Sequence, residues 1–208
     1  MVGFDLNPVY ELIIDDLVNH KYAISDHFFS DEEVRILRNH LLLKQEQENF
    51  KKAAIGKLFN EQVIKEVRGD FILWMEEEKA DEVEQLFFAK INDLIAYLNR
   101  TCYLGICESE FHYAIYPEGT FYQRHLDVFQ NDNRRTLSLV FYLNDENWQA
   151  DYGGELALFL EGDNGQQSEL KIQPLAGRMA LFDSKTIEHE VKKVKQQRYS
   201  ITGWLKTR

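Results

Sequence analysis

The stretch Phe111-His112-Tyr113-Ala114-Ile115-Tyr116-Pro117-Glu118-Gly119-Thr120-Phe121-Tyr122-Gln123-Arg124-His125-Leu126-Asp127-Val128 reads as two extended runs joined by a tight break. Aromatic and β-branched residues fill Phe111–Tyr116 and recur through Thr120–Val128, while Pro117-Glu118-Gly119 has the chemistry of a turn. The pattern continues toward the C-terminus. Arg135–Leu143, Glu155–Leu160, Leu170–Pro174, Arg178–Asp183, His189–Val194 and Tyr199–Leu205 are strand-like. Asp151-Tyr152-Gly153-Gly154 and Glu161-Gly162-Asp163-Asn164-Gly165 separate them. About eight short strands in succession predict a sandwich or barrel of the jelly-roll kind.

Upstream the period changes. Asn7 and Pro8 make a helix start, with Val9, Leu12, Ile13 and Leu17 following at helical spacing. Ser30 and Glu33 form a capping box ahead of Val34, Leu37 and Leu41. Asp81 and Glu84 repeat that arrangement before Leu86, Phe87, Ile91, Leu94, Ile95 and Leu98. Between them, Ala53-Ala54-Ile55-Gly56 and Phe71-Ile72-Leu73-Trp74 read as strands, and the polar segment 57–67 is a candidate lid. Helices first and strands later predict an α+β fold, a double-stranded β-helix (jelly-roll) core with N-terminal helices packed on one sheet. No internal repeat and no Ser/Gly linker divides the chain. The expectation is one domain over 1–208, with helical support and lid strands in 1–110 and the jelly-roll core in 111–205.

Composition narrows the function. The 208 residues are 44% apolar and 28% charged, an ordinary globular balance. Twenty-four basic against 35 acidic residues give a net charge of −11, which argues against nucleic acid and against an anionic membrane surface as partners. No apolar run approaches the ~20 residues needed to span a bilayer, and Met1–Tyr10 has no secretory pattern. Two cysteines, Cys102 and Cys107, exclude a disulfide scaffold and point to a reducing, cytoplasmic setting. Both are expected to be buried free thiols.

His125-Leu126-Asp127 carries the chemistry. On a strand, residues i and i+2 point to one side, so an imidazole and a carboxylate converge. His189 supplies a third donor, and two histidines with one carboxylate form the facial set of non-haem iron oxygenases, which leaves coordination positions open. Arg198 lies nine residues beyond His189, across the polar turn Lys192–Gln197. A hairpin would place it on the neighbouring strand, where its guanidinium could fork onto a carboxylate. Other polar residues carry less. His112 reads as a satisfied structural histidine, and His20, His27 and His40 as surface or packing residues. Glu76-Glu77-Glu78 reads as a solvated turn, and Gly153-Gly154 lacks the context of a phosphate loop.

Tyr113 through Asp127 resembles the metal-binding core of prolyl 4-hydroxylase-type, 2-oxoglutarate-dependent oxygenases. Arg135-Thr136, Tyr142-Leu143-Asn144, Gly153-Gly154-Glu155-Leu156, Pro174 to Phe182, His189-Glu190-Val191 and Arg198 to Trp204 continue that family's order. Ile55-Gly56 and Val67-Arg68-Gly69-Asp70-Phe71-Ile72-Leu73-Trp74 resemble the subgroup of hypoxia-sensing prolyl hydroxylases and their bacterial relatives.

The resemblance implies that His125, Asp127 and His189 hold Fe(II). It implies that Arg198 grips the far carboxylate of 2-oxoglutarate with Thr202 and Tyr142, and that Tyr116 lines the pocket near the metal. Ile115, Leu181, Phe182 and Trp204 are expected as dry walls, and Arg135 is expected to pair with Asp70 at the substrate side. Ascorbate is the implied reductant. A prolyl residue in a protein or peptide is the leading substrate. Another residue, a free amino acid, or a metal-binding module without turnover stay open. The N-terminal helices could cap the sheet or form a dimer face.

Overall fold

The computed structural model describes residues 5–47, 50–53, 68–128, 133–162 and 164–208. The expected lid, 57–67, and all of the expected strand at 53–56 except Ala53 lie outside them. Among the described residues three α-helices form as the caps dictate: α1 (Pro8–His20), α2 (Asp31–Glu46) and α3 (Glu82–Cys102). Asn7 accepts from the Val9 and Tyr10 amides, and Ser30 and Glu33 close a full capping box. At α3 the box is half built. Asp81 caps the Val83 and Glu84 amides, but the Glu84 carboxylate turns inward to meet Lys44 of α2 at 3.0 Å.

All eight expected strands form, as β4 (Glu108–Tyr116), β5 (Tyr122–His125), β6 (Arg135–Tyr142), β7 (Leu156–Glu161), β8 (Gln167–Ile172), β9 (Met179–Asp183), β10 (Glu188–Val191) and β11 (Arg198–Lys206). β3 (Phe71–Met75) matches its expectation, and β2 (Lys51–Lys52) is a short partner to it. One strand was not anticipated. β1 (Tyr22–Ser25) follows α1 and pairs antiparallel with β9, and four residues carry too little alternation to be legible.

The strands make two sheets with the order β1-β9-β6-β11-β4-β3-β2 and β5-β10-β7-β8, the antiparallel jelly roll expected. Period-two alternation sorts the larger sheet. Phe111, Tyr113, Ile115, Leu137, Leu139, Phe141, Leu181, Ile201 and Leu205 face the three helices in the main core. Their neighbours Ala114, Tyr116, Val140, Tyr142, Ala180 and Phe182 face the smaller sheet. Phe29, from the α1–α2 connection, stacks within 4.4 Å of Phe141 and ties the helical layer to the sheet. Among the described residues no helix is long and apolar enough to cross a membrane.

Two expectations are corrected here. β10 and β11 do not form a hairpin. β10 sits in the smaller sheet between β5 and β7, and the segment 192–197 crosses to β11 between β4 and β6 in the larger one. Ile115 and Leu181 are not pocket walls, because alternation sends both to the helices. Gly203 shows how closely β11 packs against its neighbour β4 in the larger sheet. A Cβ there would stand 2.1 Å from the Glu110 carbonyl oxygen and 2.2 Å from the Phe111 ring. Gly203→Ala is therefore expected to destabilise the fold by about 1–3 kcal/mol through overpacking. Urea denaturation reads this as a lower midpoint, and an unchanged midpoint contradicts it.

Candidate active site

His125 ends β5 directly opposite His189 of β10, and this pairing sets the two imidazoles 4.3 Å apart, centroid to centroid. Asp127 stands past the end of β5, in a bend rather than in the strand, yet it folds back to the same point. Its Oδ1 lies 3.4 Å from His125 Nε2, and its Oδ2 lies 3.4 Å from His189 Nε2.

The protons on the rings follow from their other neighbours. His125 Nδ1 sits 2.7 Å from the Gln123 carbonyl oxygen, and His189 Nδ1 lies 3.3 Å from that of Ile187. A ring nitrogen that faces a carbonyl carries a proton, which leaves each Nε2 as the atom turned toward the carboxylate. Burial lowers His189 to a pKa of about 4 against the pull of Asp127, which keeps it neutral near pH 7. Burial pushes the Asp127 carboxyl up, but His189, His125 and Ser138 outweigh it and hold the group well below the usual carboxylate range. The result is a carboxylate and two imidazole Nε2 atoms converging on one point, and the three side chains are arranged so that they could hold one metal ion.

Side chains behind the three fix their orientation. Ser138 Oγ donates to Asp127 Oδ2 at 2.6 Å and lies 2.8 Å from Ser184 Oγ. Arg135 Nη1 donates to the Asp127 carbonyl oxygen at 3.1 Å. Tyr122 stacks on His125 at 3.8 Å, and Phe182 meets His189 edge-on at 4.7 Å. Ser138 and Ser184 were not legible in the sequence, since an isolated serine carries no pattern.

Deeper between the sheets lies Arg198, 1% exposed. Its guanidinium sits 4.9 Å from the ring centroids of both Tyr116 and Tyr142. Register explains this: Tyr116 is opposite Arg198 on β4, and Tyr142 is opposite Ser200 on β6. Ser200 and Thr202 share the face of Arg198, as alternation requires. Arg198 Nη1 reaches Ser200 Oγ only at 3.4 Å, and Ser200 Oγ reaches Thr202 Oγ1 at 3.4 Å. Among the described residues no carboxylate lies within ion-pair distance of the guanidinium, and Arg198 Nε and Tyr142 Oη have no hydrogen-bond partner. A buried cation of this kind is costly unless an anion joins it. Gly154 makes the space, because a Cβ there would meet Arg198 Cδ at 3.0 Å, and its φ of +72° suits glycine.

The cavity joining the two groups is lined by His125, Asp127 and His189 as well as by Tyr116, Arg198 and Thr202, with Phe182 and Trp204 as apolar walls. Arg135 and Asp70 do not pair. Asp70 instead accepts two bonds from Arg68, two residues before it in the chain, at 2.6 and 2.8 Å. Arg135 instead lies 3.4 Å over the Trp204 ring and 3.6 Å from Glu110. Arg68, which itself covers Tyr122 at 4.4 Å, is therefore a site residue that the sequence reading missed.

Two further readings change, those of the cysteines and of His112. Cys107 is exposed and Cys102 half-buried, so neither is a buried thiol. His40 is mostly buried, 3.0 Å from Asp81 and 3.9 Å from Glu84. Lys44 places its ammonium 3.4 and 3.0 Å from those carboxylates and already acts as their cation. His112 is buried but not satisfied, since its Nδ1 has no partner among the described residues.

The 2OG-Fe(II) oxygenase superfamily matches residues 111–206. Among curated proteins, human Egl nine homolog 1 is 29% identical over 207 residues, covering 96% of this chain and 47% of its own length. Mouse prolyl hydroxylase EGLN3 is 32% identical over 144 residues, covering 66% of this chain and 58% of its own length. The chain spans about half the length of the curated relatives it matches. A crystal structure of a Pseudomonas putida prolyl-4-hydroxylase superimposes with a TM-score of 0.85 at 34% identity, covering 97% of this chain and all of that one. A Trichoplax adhaerens prolyl hydroxylase, solved with a hypoxia-inducible factor peptide fragment, gives a TM-score of 0.81 at 27% identity, covering 95% and 88%.

Proposed function

The chain belongs to the 2OG-Fe(II) oxygenase superfamily, and from that premise we propose that it is an Fe(II)- and 2-oxoglutarate-dependent dioxygenase that hydroxylates a prolyl residue within a protein or peptide. The observation that carries the reading is Arg198, a buried guanidinium without a counter-anion among the described residues, in the same cavity as a two-histidine, one-carboxylate cluster. A dicarboxylate that reaches from the metal to the arginine answers both. The prolyl part is supported by the likeness to prolyl hydroxylases, one of them solved with a peptide. We read 1–208 as one such domain, with 111–205 as its core. The paucity of cysteine supports a cytoplasmic setting, and ascorbate is the proposed reductant.

In this reading His125 Nε2, His189 Nε2 and a carboxylate oxygen of Asp127 hold Fe(II). Bound iron with dioxygen supplies the oxidising power to insert one oxygen atom into a C–H bond while the other goes to succinate, with loss of carbon dioxide. Arg198 binds the distal carboxylate of 2-oxoglutarate. Thr202 and Tyr142 donate to it, and burial raises the Tyr142 phenol, so its proton stays in place. Tyr116 backs the guanidinium. Phe182 and Trp204 exclude water from the oxidised bond. Asp70 and Arg135 shape the substrate side through Arg68 and Trp204.

The test is succinate release by the purified protein with Fe(II), 2-oxoglutarate and ascorbate, with and without a library of capped prolyl peptides. Stimulation by a peptide, together with one-oxygen mass gain on its proline, is the expected result. No turnover with any peptide or amino acid overturns the enzyme reading, and stimulation by free amino acids alone overturns the prolyl one. A second prediction concerns Ser138. Ser138→Ala is expected to lower metal affinity about 10–100-fold, as loss of a group that orients a ligand does. Calorimetric titration with Mn(II) measures it, and an unchanged affinity removes Ser138 from that role.

A further inference from the structure

His112 faces the cavity from β4, opposite Thr202 on one side and Trp74 on the other. Its ring lies 4.9 Å from Trp74 and 5.6 Å from Trp204. The residue is 3% exposed, yet Nδ1 has no hydrogen-bond partner among the described residues. Trp204 Nε1, on the adjoining wall, is also buried without one. Each such atom costs about 1–3 kcal/mol when left unpaired, so two on one wall call for a ligand that satisfies them. Burial lowers the imidazole to a pKa of about 3, with Arg68 adding to the shift. The ring is thus neutral, with one donor and one acceptor nitrogen.

The surroundings define what would fit. Trp74 is 51% exposed, so the wall opens toward solvent beside a bare indole. Arg68 and Arg135, the cations near it among the described residues, are engaged by Asp70 and Glu110. Indole faces suit a saturated carbon ring or an aliphatic side chain, whereas a neutral imidazole beside an indole N–H suits an amide. Among the described residues, the ammonium and carboxylate of a free amino acid would meet no free counter-charge at this wall.

We propose that His112 is a substrate-positioning residue that hydrogen-bonds the peptide backbone at the oxidised residue, beside Trp204 Nε1, and so selects a residue within a polypeptide over the free amino acid. This rests on the prolyl hydroxylase reading above.

The test uses the full chain loaded with Mn(II) and 2-oxoglutarate, without oxygen. The probes are the capped prolyl peptide that best stimulates succinate release, and free L-proline. Calorimetry reads binding apart from turnover. The parent is expected to bind the peptide at least about 100-fold more tightly than L-proline. His112→Phe should weaken the peptide about tenfold, the loss of one buried hydrogen bond. Its 2-oxoglutarate affinity should stay within about twofold, and His112→Gln should recover most of the peptide affinity. Peptide binding by His112→Phe equal to the parent's overturns the proposal and leaves the prolyl reading standing. Loss of peptide and 2-oxoglutarate binding together in both variants marks a residue that serves the fold, and also overturns it. If no prolyl peptide stimulates the parent, both readings fall.

Discussion

Asp127→Asn is expected to reduce succinate release to the level of the metal-free control while leaving the protein folded. The substitution keeps the side-chain shape and removes the only negative charge among three converging donors. Loss of a group that merely orients a ligand costs about 10–100-fold in metal affinity, so loss of an anionic ligand itself should exceed about 100-fold. Asp127→Ala and His125→Ala should share the loss of turnover. The response to metal separates a metal ligand from a structural carboxylate. Oδ1 and Oδ2 of Asp127 lie 3.4 Å from the Nε2 atoms of His125 and His189. Added Mn(II) should therefore raise the melting temperature of the parent and not that of the variant. Normal succinate production, or equal stabilisation of both by Mn(II), contradicts the assignment.

What the sequence made legible follows where its signals were local. His125 and Asp127 are two residues apart, the capping residues of α1 and α2 stand next to what they cap, and strand-like runs between turn residues marked β4 to β11 of the jelly roll. Facing was harder. Leu181 and Phe182 both looked like pocket walls, although adjacent strand residues must point to opposite sides. β9 is apolar on both faces, toward the helices with Leu181 and toward the pocket with Phe182, so hydrophobicity does not reveal which is which.

Topology was harder still. Six residues between β10 and β11 permit a hairpin or a crossing between sheets, and only packing decides. Partner choice failed at Asp70 for a related reason: two arginines competed, and Arg68, two residues away, is already aligned with it. Ser138 and Ser200 act through hydroxyls that gain meaning only from Asp127 and Arg198 standing beside them.

Arg198→Met is expected to abolish the response to 2-oxoglutarate while making the ligand-free protein more stable. Both halves follow from one fact, that the guanidinium is buried without an anion among the described residues. Methionine fills a similar length of space between Tyr116 and Tyr142 without a charge to desolvate. The ligand-free protein thereby loses an unpaired buried charge, the most expensive kind of polar burial. Toward the ligand the sign reverses. Truncating one partner of a buried, hydrogen-bonded charge pair costs about 2–5 kcal/mol, so 2-oxoglutarate affinity should fall by about 30-fold or more. Thermal denaturation reads both effects in one experiment. At a concentration of about 100 times its Kd, 2-oxoglutarate with Mn(II) should stabilise the parent by about 2.7 kcal/mol relative to Mn(II) alone. The variant should start higher and gain little. Arg198→Lys should restore part of the response, because a charge remains but the two-pronged geometry does not. A variant that starts lower than the parent and still responds fully to 2-oxoglutarate would show Arg198 to be a packing residue, and the co-substrate would need another anchor.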